Sequence, residues 1–172
     1  MSDIPLRIAL LTVSDTRDPK SDLTAPAVKV CIQESFSNEQ KVEFQYDIVR
    51  DEKSDIVEKL RNFSKTADVI LTLGGTGFGS RDVTPEATLE VIERRCSGLE
   101  VALHTRSLEE TPMAALSRAV AGIYGNTLIV NFPGSPKAVP TYWKVLKPIL
   151  PHGVKLLRGN DVTEDHAKLQ GK

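Results

Sequence analysis

The sequence predicts a three-layer α/β domain, with a mostly parallel central sheet, helices on both faces and a small β-hairpin. Three observations lead there. Residues 7–13 (RIALLTV) and 68–73 (DVILTL) are short, near-continuous apolar runs, the pattern of strands buried on both faces. Segments with apolar residues at helical spacing lie between the strands, which implies βαβ crossovers and a parallel sheet. Tyr124-Gly125-Asn126, set between two apolar stretches, supplies a hairpin turn.

The elements follow in order. The strand over 7–13 runs into a polar loop, 14–24. Val28, Cys31, Ile32 and Phe36 give one apolar face to a helix over 25–36. Val42, Phe44, Tyr46 and Ile48 alternate as a second strand over 42–49. Ser54 is positioned to cap the next helix, with Asp55 in its first turn, and Ile56, Val57, Leu60 and Phe63 share its buried face. After the strand 68–73 comes a glycine-rich loop. Thr84 as N-cap, Pro85 at the first helical position and Glu86 in the first turn then signal a helix. Gly98 interrupts, residues 99–108 read as helical, and strands over 119–123 and 127–131 flank the hairpin turn. A Gly/Pro loop (FPGSP, 132–136) leads to a helix over 137–157, kinked near Pro148 and Pro151. One domain over 1–158 and a polar tail over 159–172 are expected, without internal repeat or linker.

Bulk properties exclude several classes. A chain of 172 residues, 40% hydrophobic and 26% charged, suits one soluble globular domain. A net charge of -1 gives no basic field, so neither nucleic acid nor a membrane is an expected partner. No apolar run has the length of a membrane span, and the start lacks signal-peptide character. Cys31 and Cys96 are read as reduced thiols that pack as small apolar residues. His104, His152 and His166 share no metal-ligand spacing with each other or with the cysteines. A cytoplasmic domain is expected.

In a parallel sheet, ligands sit outside the carboxyl ends of the strands. Three loops leave those ends here, 14–24, 74–82 and 132–137, and they converge on one site. In the central loop Gly74, Gly75, Gly77 and Gly79 allow sharp turns and close backbone approach, and their N–H groups can surround an anion. Thr76 and Ser80 add hydroxyls, and Arg81 can pair with phosphate. Asp82, an acid beside an anion site, makes sense as a bridge through a divalent cation. The helix starting at Thr84 points its positive end into the same region. The loop lacks the Lys of a P-loop, and its alternating glycines do not fit the dinucleotide fingerprint. Ser14 and Asp15 follow the first strand and are candidate ligand contacts. Pro133, Gly134, Ser135 and Lys137 can cradle a second phosphate or simply start a helix. Ser117-Arg118 faces either the ligand or a neighbouring subunit.

Residues 73–78 (LGGTGF) with 81–88 (RDVTPEAT) closely resemble the signature of the molybdopterin adenylyltransferases, the MogA/MoaB-like proteins and the G domain of gephyrin. The resemblance covers about residues 6–157 and includes LTVSD (11–15), SRA (117–119) and NFPGSPKA (131–138). It implies a homotrimer and a Mg²⁺-dependent reaction in which the terminal phosphate of molybdopterin attacks the α-phosphate of ATP. Adenylyl-molybdopterin and pyrophosphate are the implied products, and the molybdate-inserting enzyme of the same pathway is an implied partner. It also assigns metal and phosphate handling to Asp82 and Asp51. In the first loop Ala25 stands where the family often has glycine, which adds a methyl at a point of close backbone approach. No Ser/His/Asp triad or Cys/His pair is evident, and this chemistry needs none. A non-catalytic pterin carrier on the same fold is the main alternative, and a scaffolding module a third.

Overall fold

The computed structural model describes residues 4–36 and 41–159. Six strands form one sheet: β1 (Leu6–Val13), β2 (Val42–Val49), β3 (Val69–Leu73), β4 (Arg94–Arg95), β5 (Ala121–Tyr124) and β6 (Thr127–Phe132). Their spatial order is β2-β1-β3-β6-β5-β4. The first four in that order are parallel; β5 is antiparallel to β6 and to β4. Gly125, at φ +55, turns the β5–β6 hairpin where the sequence expects it.

Strand alternation sorts the core into two layers. Ile8, Leu10, Leu71 and Val130 point to one face, which is covered by α1 (Thr24–Phe36), α4 (Ser97–Glu110), α5 (Val139–Leu146) and α6 (Leu150–Leu157). Ala9, Leu11, Ile70 and Ile129 point to the other, covered by α2 (Lys53–Phe63) and α3 (Thr84–Val91). The three-layer α/β architecture therefore holds. Trp143 lies in the first core layer, its indole N–H donating to Ser35 Oγ at 2.8 Å. Cys31 and Cys96 are free and pack against that layer.

This topology fixes where a ligand can sit. The chain leaves β1 for β2 on one side, then returns to place β3 on the other. The helices that follow, α1 and α2, lie on opposite faces, so the crevice between the carboxyl ends of β1 and β3 is a topological switch point.

Some local expectations need correction. Ser54 does not cap α2: Glu52 holds the cap position without a side-chain bond, and Ser54 Oγ donates to Asp55 Oδ1 at 3.4 Å. Thr84 is the first helical residue of α3, after Val83, and its hydroxyl caps nothing. The expected C-terminal helix is split into a 3₁₀ turn (Pro136–Ala138), α5 and α6, because Pro148 and Pro151 remove backbone donors at the junction. The two-residue strand β4 and a 3₁₀ turn (Pro112–Leu116) were not anticipated. The expected polar tail lies outside the described residues beyond Gly159. Among the described residues no helix is long and apolar enough to cross a membrane.

Candidate active site

The floor of the switch-point crevice is a pair of glycines. Gly74, at φ +107, turns so tightly off β3 that a Cβ there would lie 2.7 Å from the Val13 carbonyl oxygen. Gly134, from the loop after β6, covers it: a Cβ on Gly134 would meet Gly74 Cα at 3.3 Å. The Gly134 carbonyl accepts from Thr24 Oγ1 (2.8 Å) and Arg17 Nη1 (3.2 Å), which joins the first loop to the third. The three predicted loops thus do converge. Arg17 is a member the sequence reading missed, and nothing in a basic residue of a polar loop that also holds Lys20 marks it.

Asp22 anchors the same corner. It is buried, accepts from Thr12 Oγ1 (2.5 Å), Tyr46 Oη (2.8 Å) and the N–H groups of Thr24 (2.9 Å) and Ala25 (3.2 Å), and so caps α1. Burial opposes its charge, but these bonds outweigh that and hold its carboxyl below the usual range. The same burial and the Asp22 carboxylate push the Tyr46 phenol up to about 12. The methyl of Ala25 causes no obstruction; it is buried in the first core layer.

Two carboxylates stand at the glycine-rich loop. Asp82, just ahead of α3, accepts the Gly79 N–H at 3.0 Å, and a Cβ on Gly77 would come within 2.8 Å of its Oδ2, so the loop closes tightly on this carboxylate. Asp51, just after β2, faces Gly75. A Cβ on Gly75 would lie 3.1 Å from Asp51 Oδ1 and 2.4 Å from Thr84 Oγ1. The Thr84 hydroxyl is fully buried and has no hydrogen-bond partner. Burial, together with the charges of Asp15 and Asp82, raises the Asp51 carboxyl above its ordinary range. Adjacent carboxylates, a glycine recess and an orphaned oxygen therefore meet at the start of a helix.

The structure places Asp15 and Arg81 in contact with each other. Arg81 Nε and Nη2 donate to the two Asp15 oxygens at 3.0 and 3.1 Å, and Nη2 also reaches Glu52 Oε1 at 2.8 Å. Arg81 is thus engaged by carboxylates rather than free for phosphate, and its hydrogen bonds lower the Asp15 carboxyl. Ser14 is likewise occupied locally: its Oγ accepts the N–H groups of Thr16 and Arg17, both at 3.2 Å.

Of Ser117-Arg118, Ser117 lines the cavity beside the loop and Arg118 reaches the loop itself. The Arg118 N–H donates to the Thr76 carbonyl (2.8 Å), Nε to the Gly77 carbonyl (2.8 Å) and Nη2 to the Asp82 carbonyl (2.7 Å), and it is ion-paired with Glu86. It therefore braces the loop from behind. Beside the loop opens a cavity of about 480 Å³. Thr76, Gly77, Pro133, Ser135 and Lys137, all candidates from the sequence, line it, with Met113, Leu116 and Tyr142 adding apolar wall. A larger open groove near the Gly125 turn, lined by Arg61, Lys65, Glu90 and Glu93, lies away from all of these residues.

The fold and its switch-point loops define a class of α/β domain that presents carboxylates from two loops, Asp51 after β2 and Asp82 in the glycine-rich turn, beside a polar-rimmed cavity. Residues 9–152 match the family described as "Probable molybdopterin binding domain", and the chain belongs to that family. It is 43% identical to the molybdenum cofactor synthesis protein cinnamon of Drosophila melanogaster over 96% of this chain, although it spans only 28% of that relative's length. It is 34% identical to a molybdopterin adenylyltransferase of Helicobacter pylori, over 96% of this chain and 95% of that protein. Among solved structures, a molybdenum cofactor biosynthesis protein B superposes with a TM-score of 0.83 at 32% identity, covering 93% of this chain and 100% of that one. The resemblance read from residues 73–88 holds.

Proposed function

We propose that this protein is a molybdopterin adenylyltransferase of molybdenum cofactor biosynthesis. The observation that carries the reading is the meeting of Asp51 and the orphaned Thr84 hydroxyl at the Gly75 recess, with Asp82 on the same glycine-rich loop close enough for its charge to act on Asp51. A buried oxygen without a partner costs stability, and a cation or its water in the recess would satisfy it. Among the described residues no three His, Cys, Asp or Glu side chains are grouped to hold a metal. The set present suits Mg²⁺, which is commonly bound by one or two carboxylates with phosphate and water completing its shell. When bound, Mg²⁺ supplies charge neutralisation for the phosphate oxygens.

In the reaction, a terminal phosphate oxygen of molybdopterin forms a bond to the α-phosphorus of ATP, the bond from that phosphorus to the bridging oxygen breaks, and pyrophosphate leaves. The attacking phosphate is already ionised near neutral pH, so no side chain need remove a proton. The chain's work is positioning. Asp51 and Asp82 would hold Mg²⁺, which would neutralise charge on the phosphate oxygens. The N–H groups of residues 75–78 and the positive end of α3 would favour negative oxygen there. The 480 Å³ cavity is large enough for a small heterocycle, with Tyr142 and Met113 as apolar contacts and Ser135 and Lys137 at a polar rim. We assign the pterin to this cavity and the ATP phosphates to the carboxylate side. The proposed working state is a cytoplasmic homotrimer, and mass photometry tests the assembly.

The test is pyrophosphate release. It is expected only when ATP, molybdopterin and Mg²⁺ are supplied together. The alternative is a non-catalytic pterin carrier on the same fold. Tight molybdopterin binding with no ATP-dependent product would establish that alternative instead.

A further inference from the structure

Arg81, Asp15 and Asp51 form a chain of contacts across three loops. The Asp15 N–H donates to Asp51 Oδ2 at 2.8 Å, and the Asp51 N–H returns a bond to Asp15 Oδ1 at 3.1 Å. This reciprocal pair brings a second carboxylate next to Asp51. Alone, such an arrangement is repulsive and would drive the two side chains apart. Arg81 supplies the missing countercharge, with a two-nitrogen fork on Asp15, and its further bond to Glu52 ties the fork to the start of α2. Glu52 directly follows Asp51 in the chain, so Arg81 holds both sides of Asp51.

We infer that Arg81 is a positioning residue that sets the Asp51 carboxylate for cation binding, acting through Asp15 rather than by gripping phosphate. Guanidinium geometry is the reason for an arginine here. Its planar fork meets one carboxylate with two parallel bonds and still has a donor for Glu52. A lysine ammonium matches the charge and binds phosphate well, but it cannot reproduce that bridge. The exposure of Arg81 makes it replaceable without loss of the fold: its side chain is 55% exposed.

The inference rests on the reading above that Asp51 handles the metal, and its test has readouts besides turnover. In the metal-free protein, R81K is expected to shift the amide resonances of Asp15 and of Asp51, which is bonded to it, because the guanidinium bridge from Asp15 to Glu52 is lost, while the melting temperature stays within a few degrees. With Mn²⁺ and ATP as the probe, R81K is expected to weaken Mn²⁺ binding about tenfold, as loss of a partner behind a metal ligand commonly does. Asp15→Asn should do the same, and the D15N/R81Q double variant should be no worse than the weaker single. Phosphate gripping predicts the opposite pattern: R81K near wild type, R81Q raising the KM for ATP with Mn²⁺ affinity unchanged, and additive effects with D15N. Either that pattern or a wild-type protein that binds no Mn²⁺ in the presence of ATP overturns the inference. A wild type that binds Mn²⁺·ATP with the expected variant effects but forms no adenylyl-molybdopterin would sink the proposed reaction and leave the role of Arg81 intact.

Discussion

Gly75 stands between Thr84 and Asp51 so closely that the first atom of any side chain there would lie 2.4 Å from the threonine oxygen. With φ at +65, the backbone also disfavours any side chain. Gly75→Ala is therefore expected to cost about 1–3 kcal/mol of stability, through strain and steric displacement. It should also abolish turnover, because Thr84 and Asp51 must move apart. Urea unfolding alongside a pyrophosphate assay checks both.

Thr84 gives a cleaner separation of stability from function. Its hydroxyl is buried with no partner, so Thr84→Val removes an unsatisfied oxygen while keeping the shape. The variant should be as stable as wild type or more stable by up to about 1 kcal/mol. Cation affinity and turnover should fall. A Thr84→Val protein with full activity and unchanged Mn²⁺ binding would remove that oxygen from the site.

Much of this was legible in the sequence, for identifiable reasons. Residues 7–13 and 69–73 read correctly because strands buried on both faces leave an uninterrupted apolar run. The convergence of three loops followed from parallel topology. What the sequence concealed was partner choice. Arg81 sits one residue from Asp82, yet its partners are Asp15 and Glu52, which only folding brings near. Thr84-Pro85-Glu86 has the composition of a helix start, but the hydroxyl is turned to the Gly75 recess, so the cap was misassigned. Arg118 bonds to backbone carbonyls of 77 and 82, and carbonyls carry no sequence signal.

Arg118 makes a prediction about loop rigidity. Its guanidinium holds two loop carbonyls and Glu86 at once. Arg118→Ala leaves those carbonyls unpaired and is expected to cost about 2 kcal/mol and loosen residues 76–82. Arg118→Lys can retain only part of the bridge and should fall between. Hydrogen exchange at Gly79 and Asp82, whose N–H groups are both bonded within the turn, reports the loosening directly.

Asp51 and Asp82 carry the largest activity effects. Asp82→Asn and Asp51→Asn should each lower turnover at least about a hundredfold, the scale for losing a charged group at a reacting centre. Their stability effects should differ from an ordinary loss. The Asp51 carboxyl is raised in the fold, so its ionised form is destabilising, and that cost sets in as pH rises through its folded value. Asp51→Asn should consequently raise the melting temperature at pH 7 and have little effect near pH 3. Scanning calorimetry at the two pH values tests this sign.

At the opposite end of the sheet from the site, Asp68 governs acid stability. It is buried, with Arg158 Nε and Nη2 at 3.0 and 2.6 Å, Arg7 Nη2 at 2.9 Å and the Arg7 backbone N–H at 2.8 Å. Burial works against its charge, yet these bonds lower the carboxyl to about 2. Because the folded value lies below the unfolded one, the stabilisation is fully present above about pH 4 and is lost as pH falls through about 2. It amounts to about 2 kcal/mol, read from a shift of nearly two units. Asp68→Asn should lose at least that much at pH 7, since two arginines are left facing a neutral amide, and the gap to wild type should narrow as the pH is lowered towards 2. Urea midpoints measured from pH 7 down to pH 2 check the prediction. A gap that persisted undiminished at pH 2 would show that packing at Asp68, rather than its charge, holds Arg7 and Arg158 in place.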